Sequence, residues 1–376
     1  MTDRRLPLLS VVVAVVVLMA LVGVARSHRA TPEWRETVFV FGTLLEIVIR
    51  DADRDRAQRA TAATGQMLQT LHNDWHAWQP GALETVNDRL ALGQTTVVSP
   101  DLASVLSHAK QLSCESGGLF EPGIGQLIAL WGFHDDANTQ AAPPDAKKID
   151  ALREAAPSIA DLQIRSASVS SQNPALQLDL GGFGKGAALD MAEKTLAAHG
   201  IENAVLNAGG DVNVIGTHGE RNWTVAIRDP FVWGAVASIA LDPGEVLYTS
   251  GNYERYFETA PTRFAHIIDP RTGYPVQNIV SASVLHTNGA RADAAATALS
   301  VAGQAAWAQV AADMQVASAL LITGDGTLLV TPDMAMRLNF ETPDLAEQMK
   351  VIQLPARRDM RHCRPTPDKT VSDFGH

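Results

Sequence analysis

Apolar positions repeat at helical spacing in the first part of the chain and mostly at strand spacing in the second. Ala57, Ala60, Thr64, Met67, Leu68 and Leu71 fall on one side of a 3.6-residue turn, which predicts a loosely amphipathic helix over 54–75. Leu102, Val105, Leu106, Ala109 and Leu112 predict a second helix over 101–115, ended near Gly117-Gly118. Ahead of both, Val38, Val40, Leu45, Ile47 and Ile49 are strand-formers around a Gly42-Thr43 break. Residues 138–148 read as a loop before a short helix. From Leu162 onward short strands dominate, at 161–165, 175–180, 203–207, 211–215, 223–227, 237–241, 245–249, 263–268, 280–285, 317–323 and 327–331. Helices at 184–199, 291–303 and 305–314 interrupt them, and Gly324-Asp325-Gly326 predicts a hairpin turn. Hairpin-like strands with helices inserted in groups predict an α+β fold, not a doubly wound parallel sheet.

The two ends fall outside this pattern. Leu6 to Ala25 carry no charge and are flanked by Arg4, Arg5, Arg26 and Arg29. Such a hydrophobic helix serves as a cleaved export signal or as an uncleaved membrane anchor, and its length favours the anchor. Residues 1–26 are therefore assigned to signal or anchor, 27–36 to a polar linker, 37–352 to one domain, and 353–376 to a polar tail expected to be disordered. Either reading of the N-terminus exports the body of the protein.

Composition narrows the function classes. The chain of 376 residues is 46% hydrophobic and 19% charged, enough for a full core. A net charge of -11 leaves no broad basic face and argues against nucleic acid as a partner. The two cysteines, Cys114 and Cys363, have no zinc spacing; Cys114 reads as a core or half-buried thiol, and a disulfide between them is the less favoured reading.

Chemistry concentrates in a few segments. Asp179-Leu180-Gly181-Gly182-Phe183-Gly184-Lys185-Gly186 joins a buried-looking strand to a helix, and Asn207-Ala208-Gly209-Gly210-Asp211 is a second glycine turn. Turn N–H groups that open into a helix, together with a lysine, suit phosphate. Neither GxxxxGK[ST] nor GxGxxG is present, which removes the P-loop and Rossmann readings. Asp293 and Thr297 share one helix face as hard oxygen donors fit for Mg²⁺, although a capping Asp before a small-residue packing face has the same spacing. His266 ends a strand before Asp269-Pro270 and suits a general base, though a lone histidine is more often structural. Trp78, in a Pro/Gly-containing loop, suits a stacking platform or a lid over the core.

Together these segments resemble the ApbE family of FAD:protein FMN transferases across most of 37–330. The resemblance rests on Phe41-Gly42-Thr43, the Trp78 turn, Phe120-Glu121-Pro122 leading to Leu130-Trp131-Gly132-Phe133, Asp179 to Gly186, Asn207 to Asp211, Trp223 to Pro230, Thr249 to Tyr256, His266 to Pro275 and Ala292 to Ala298. It implies a T-fold-like architecture of antiparallel-rich sheets with helices packed on them. It also implies Mg²⁺-dependent transfer of FMN from FAD to a Ser or Thr hydroxyl of an exported or membrane electron-transfer protein, with release of AMP, on the periplasmic side of a bacterial inner membrane. By the resemblance, Asp293, Thr297 and the backbone oxygens of Gly182 and Ala296 hold the metal. Phe41, Trp78, Phe120, Glu121, Pro122, Asp179, Lys185 and Ile267 contact FAD, and His266 with Asp293 supply the base. Phe41 stands where many relatives have Met, Gly182 where others have Ala, and Trp78 where Tyr is commoner. An FAD pyrophosphatase and a non-catalytic flavin-binding protein use the same residues and stay open.

Overall fold

The computed structural model describes residues 33–135, 142–259 and 262–363. Among them, nine strands form one sheet in the spatial order Glu33–Val40, Thr43–Arg50, Asn203–Ala208, Asp211–Ile215, Val246–Gly251, Ile279–His286, Ser318–Thr323, Leu328–Val330 and Met349–Val351. Every neighbouring pair is antiparallel except the last. The α+β, antiparallel-rich expectation holds.

The sheet is covered on both faces, and side-chain alternation sorts residues between them. Leu45, Ile47 and Ile49 join the larger core beneath the helices Arg54–Asp74, Pro100–Glu115, Gly184–Ala198 and Gly289–Asp313. Val48, Val212, Val214, Leu320 and Ile322 face the other way, onto a three-stranded sheet of Leu338–Phe340, Ala235–Leu241 and Trp223–Arg228. Two buried faces explain why these strands read as near-continuous apolar runs.

The Gly289–Asp313 helix crosses the core with Ala292, Ala294, Ala295 and Ala298 fully buried. Small residues let it approach the Gly184–Ala198 helix closely: a β-carbon on Gly186 would lie 2.2 Å from the Gly289 carbonyl oxygen. At Gly303 the backbone turns to φ 67, ψ 179, which breaks the helix where the sequence predicts two.

Several expectations are corrected. Residues 175–180 form no strand ladder, because Asn87 takes both backbone groups of Leu178 through its side chain, at 2.9 and 2.8 Å. Pairing of Glu33–Val40 with Thr43–Arg50 begins at Glu33, so the strand extends into the segment assigned as linker. The chain past 353 is held at least to Cys363: Arg358 donates from its backbone N and Nε to the buried Asp313 carboxylate at 2.9 and 2.7 Å. Cys114 and Cys363 form a disulfide, against the favoured reading of a free thiol. No sequence spacing could show it, since the tail must first return to the Pro100–Glu115 helix. The signal or anchor assignment on 1–26 lies outside the described residues; among the described residues no helix is long and apolar enough to cross a membrane.

The disulfide sits beside Glu115, which is buried and paired with Arg291, near the start of the helix that carries Asp293. A Cys363→Ser variant should lose about 2–5 kcal/mol of stability, read as a lower thermal midpoint that reductant lowers no further. Equal midpoints for wild type with and without reductant would contradict this.

Candidate active site

The site lies at one end of the nine-stranded sheet, where several turns meet. The register places Phe41-Gly42, Gly209-Gly210, the Ser250–Glu254 segment and Gly324 at this same end. The Gly181–Gly186 turn and the middle of the Gly289–Asp313 helix face it from the helical layer.

Asp293 is buried, and its Oδ2 accepts the Gly186 N–H at 2.9 Å. One helical turn on, the Thr297 hydroxyl lies 3.3 Å from Ser250 Oγ. A β-carbon at Gly182 would sit 2.9 Å from Thr297 Oγ1 and 3.6 Å from the Phe120 ring, so a side chain here would press on the Thr297 hydroxyl. Asp293, Thr297 and the Gly182 backbone thus lie together. The Ala296 carbonyl, on the same helix, accepts the Ser300 hydroxyl at 2.9 Å.

Lys185 and Asp211 form the electrostatic centre, with Nζ 3.2 Å from Asp211 Oδ2. Asp211 is buried, and its Oδ1 accepts the Thr249 N–H at 3.0 Å. Burial works against the Lys185 charge, but the Asp293, Asp211 and Glu254 carboxylates outweigh it and hold the ammonium well above its ordinary range. Burial pushes Asp293 up to about 6 despite Lys185, with Asp211 adding to the rise. Glu254, on the rim, is pushed up to about 7 by desolvation and then by Asp211. Three carboxylates around one lysine leave an excess of negative potential, the condition that invites a divalent cation.

On the other side Asp179 organises the turn. Its Oδ1 accepts the Gly181 N–H at 2.7 Å and its Oδ2 accepts Trp78 Nε1–H at 3.0 Å. Trp78 is half-buried, with its ring 5.3 Å from that of His134. Phe41 takes a positive φ of 51° at the hairpin turn, and its N–H donates to His72 Nδ1 at 3.2 Å. Its ring packs against His72 and Trp75, and Trp75 in turn lies below Gly184.

The Glu121 carboxylate is already occupied. Its Oε1 accepts from Gly123 N and Ile159 N at 2.8 and 2.7 Å, and its Oε2 from Ser158 Oγ and Ser113 Oγ at 2.7 and 3.3 Å. Four donors fill a carboxylate, so the Glu121 side chain ties loops together, and the expected FAD contact falls to its backbone. The neighbouring Pro122 carbonyl accepts Asp179 N–H at 2.8 Å and sets the turn's position. The Ile267 carbonyl is taken by Val276 N–H at 2.9 Å, which leaves its N–H for the expected backbone contact.

His266 is half-buried, its Nδ1 donating to the Arg255 carbonyl at 3.2 Å. Burial lowers its pKa to about 4, with Arg255 and Lys185 contributing, so the ring is neutral near pH 7 and carries its lone pair on Nε2.

Sequence reasoning passes over a polar layer behind the site. Tyr248 donates to Asn213 Oδ1 at 2.7 Å, and Asp190 accepts from Gly289 N and Ala290 N at 2.7 and 3.1 Å, capping the helix that carries Asp293. Asp211 closes a turn singled out in the sequence, but only the fold pairs it with Lys185. Beside this layer Glu193 keeps a buried Oε1 without a hydrogen-bond partner, and burial followed by Asp190 pushes it up to about 7. A folded pKa above the unfolded one stabilises at low pH, and that contribution is lost as pH rises through about 7. Glu193→Gln should therefore raise stability at pH 8 by on the order of 1–2 kcal/mol, read as a higher thermal midpoint, and change it little at pH 5. The opposite pH trend in parallel melts would refute the assignment.

Comparison with known proteins places this fold among relatives. The model of the ApbE family matches residues 41–321. A FAD:protein FMN transferase of Rhodobacter capsulatus is 49% identical over 337 residues, covering 89% of this chain; the chain spans 64% of that relative's length. A FAD:protein FMN transferase of Vibrio cholerae is 30% identical, with 70% of this chain and 88% of the relative covered. Among solved structures, the ApbE protein of Thermotoga maritima superposes with a TM-score of 0.75 at 26% identity, over 81% of this chain and 99% of the other. The flavin transferase ApbE of Vibrio cholerae gives 0.73 at 25% identity, over 82% and 100%.

Proposed function

The chain belongs to the ApbE family, and from that membership we propose that it is a transferase that moves FMN from FAD to a Ser or Thr hydroxyl of an acceptor protein and releases AMP. The observation that carries the proposal is the convergence of Asp293, Thr297 and Gly182 on the turn that holds Lys185.

In the reaction the acceptor oxygen forms a bond to the FMN phosphorus, the pyrophosphate P–O bond to AMP breaks, and the hydroxyl proton passes to a base. Lys185 and the turn N–H groups around Gly184 would hold phosphate oxygens. Trp78, fixed by Asp179, would cover the flavin ring, with Phe41 and Phe120 on its apolar sides. His266 would take the hydroxyl proton on Nε2, the Arg255 carbonyl fixing the tautomer. Asp293, buried beside Lys185, can share that task.

The donor set fits Mg²⁺: a buried carboxylate, a hydroxyl and a backbone carbonyl are hard oxygens, and the excess of carboxylates over lysine calls for a cation. Asp293, Thr297 and Gly182 would hold it, and when bound it would neutralise charge on the pyrophosphate as AMP departs. We further propose an exported, periplasmic setting with membrane attachment through Leu6–Ala25; the Cys114–Cys363 disulfide supports an oxidising compartment.

The test mixes the protein with FAD, Mg²⁺ and a threonine-bearing acceptor domain and follows acceptor mass and AMP. An FMN-sized mass gain that needs Mg²⁺ supports transfer. AMP with free FMN and an unchanged acceptor points to a pyrophosphatase, and bound FAD without AMP to a flavin carrier.

A further inference from the structure

Two groups of exposed apolar side chains stand at the same end and on the same side of the nine-stranded sheet, beside the site mouth. The first is the tip between the strands Trp223–Arg228 and Ala235–Leu241, where Phe231, Val232 and Trp233 are 54%, 65% and 96% exposed. This tip is built, not loose. Asp229 N–H donates to the Gly234 carbonyl at 3.0 Å, and Asp229 Oδ1 accepts the N–H groups of Phe231 and Val232 at 2.8 and 3.2 Å. Its root touches the site: the Arg228 guanidinium lies 4.9 Å over the Tyr253 ring, and Arg228 acts on the Glu254 carboxylate together with Asp211, Lys185 and Asp293.

The second group is Phe39 and Leu44, cross-strand partners one step from the Phe41-Gly42 turn, each 62% exposed. Alternation puts Leu44 on the face of Val48, which packs beneath the same three-stranded sheet that carries the Trp233 tip.

We propose that Phe231, Val232 and Trp233, with Phe39 and Leu44, form the docking surface for the acceptor protein. The inference rests on the transferase reading, which requires a macromolecule at this mouth. Rigid exposed aromatics at a reaction site are the composition of interface anchors, and their burial would bring a hydroxyl to the Lys185 side of the site. A lipid surface is the poorer match. The tip offers Asp229 and no lysine, its one arginine is stacked on Tyr253, and the chain's net charge is -11, whereas anionic headgroups attract basic flanks. The partner is thus a protein with an apolar surface around its acceptor hydroxyl.

The test expresses the full chain, wild type or Phe231→Ser/Trp233→Ser, in a host deleted for its own copy, and measures covalent flavin in host proteins as fluorescence in denaturing gels. The variant should slow flavin accumulation about tenfold at limiting enzyme. FAD affinity by fluorescence quenching should stay within about twofold of wild type, since no tip residue reaches the pyrophosphate site. Phe39→Ser/Leu44→Ser should act in the same direction. A variant equal to wild type, or one that loses FAD binding, overturns the docking surface. A defect that disappears in detergent-solubilised extract assigns the tip to the bilayer and also overturns it. A wild-type chain that labels nothing removes the transferase reading, and the docking surface with it.

Discussion

Asp293→Asn is expected to lower FMN transfer by roughly a thousandfold, the equivalent of several kcal/mol of charge stabilisation at a phosphoryl site. The substitution isolates charge from shape. Asparagine can still accept the Gly186 N–H that Asp293 Oδ2 now takes at 2.9 Å. What it loses is the anion that faces Lys185 and that would hold Mg²⁺ beside Thr297. Stability should change little or rise, because a buried carboxylate pushed up to about 6 costs folding energy as pH climbs through that value. Thermal melts with and without Mg²⁺ make the separation: wild type should gain stability from the ion and the variant should not. A variant that retains turnover and still responds to Mg²⁺ would show that Asp293 is only a packing residue.

Lys185→Met should produce the largest loss of stability of any single change at the site. It leaves the buried Asp211 and Asp293 carboxylates without the cation they share, a loss of about 3–5 kcal/mol for a broken buried pair. The pH dependence gives the sign. The folded pKa of Lys185 is raised above its unfolded value, so its contribution is present across the accessible range and fades only as pH passes far above neutrality. In the variant, Asp293 should take up its proton at higher pH than before, and protonation relieves the unpaired charge. Destabilisation should therefore be greatest near pH 8 and smaller near pH 5, and FAD binding should weaken with it. Equal destabilisation at both pH values would mean that packing of the lysine stem, not charge, is what matters.

Much of the fold was legible because local pattern and tertiary environment agreed. The helices at Arg54–Asp74, Pro100–Glu115 and Gly184–Ala198 carry their own apolar faces, and the break at Gly303 is written in a residue free to take a positive φ. The 175–180 segment misled for a physical reason. Its apolar residues are buried as expected, but its backbone groups are satisfied by Asn87, Pro122 and Gly125 and not by a ladder. The tail misled because its polar residues look solvated in sequence, while Arg357 and Arg358 find Asp313 only after the chain has folded back.

The site divides in the same way. Residue types and their order determined the family, the glycine turn with Lys185 and the Asp293/Thr297 face, because those depend on short spacings along one element. Three-dimensional packing decided the rest. It paired Lys185 with Asp211, filled the Glu121 carboxylate with four protein donors, and joined Cys114 to Cys363. Each of these is a choice among partners far apart in the chain. A hydrogen-bonding or charged group records in sequence only what it can accept or donate; which partner it meets, and whether capacity remains for a ligand, is settled when the strands and helices close around it.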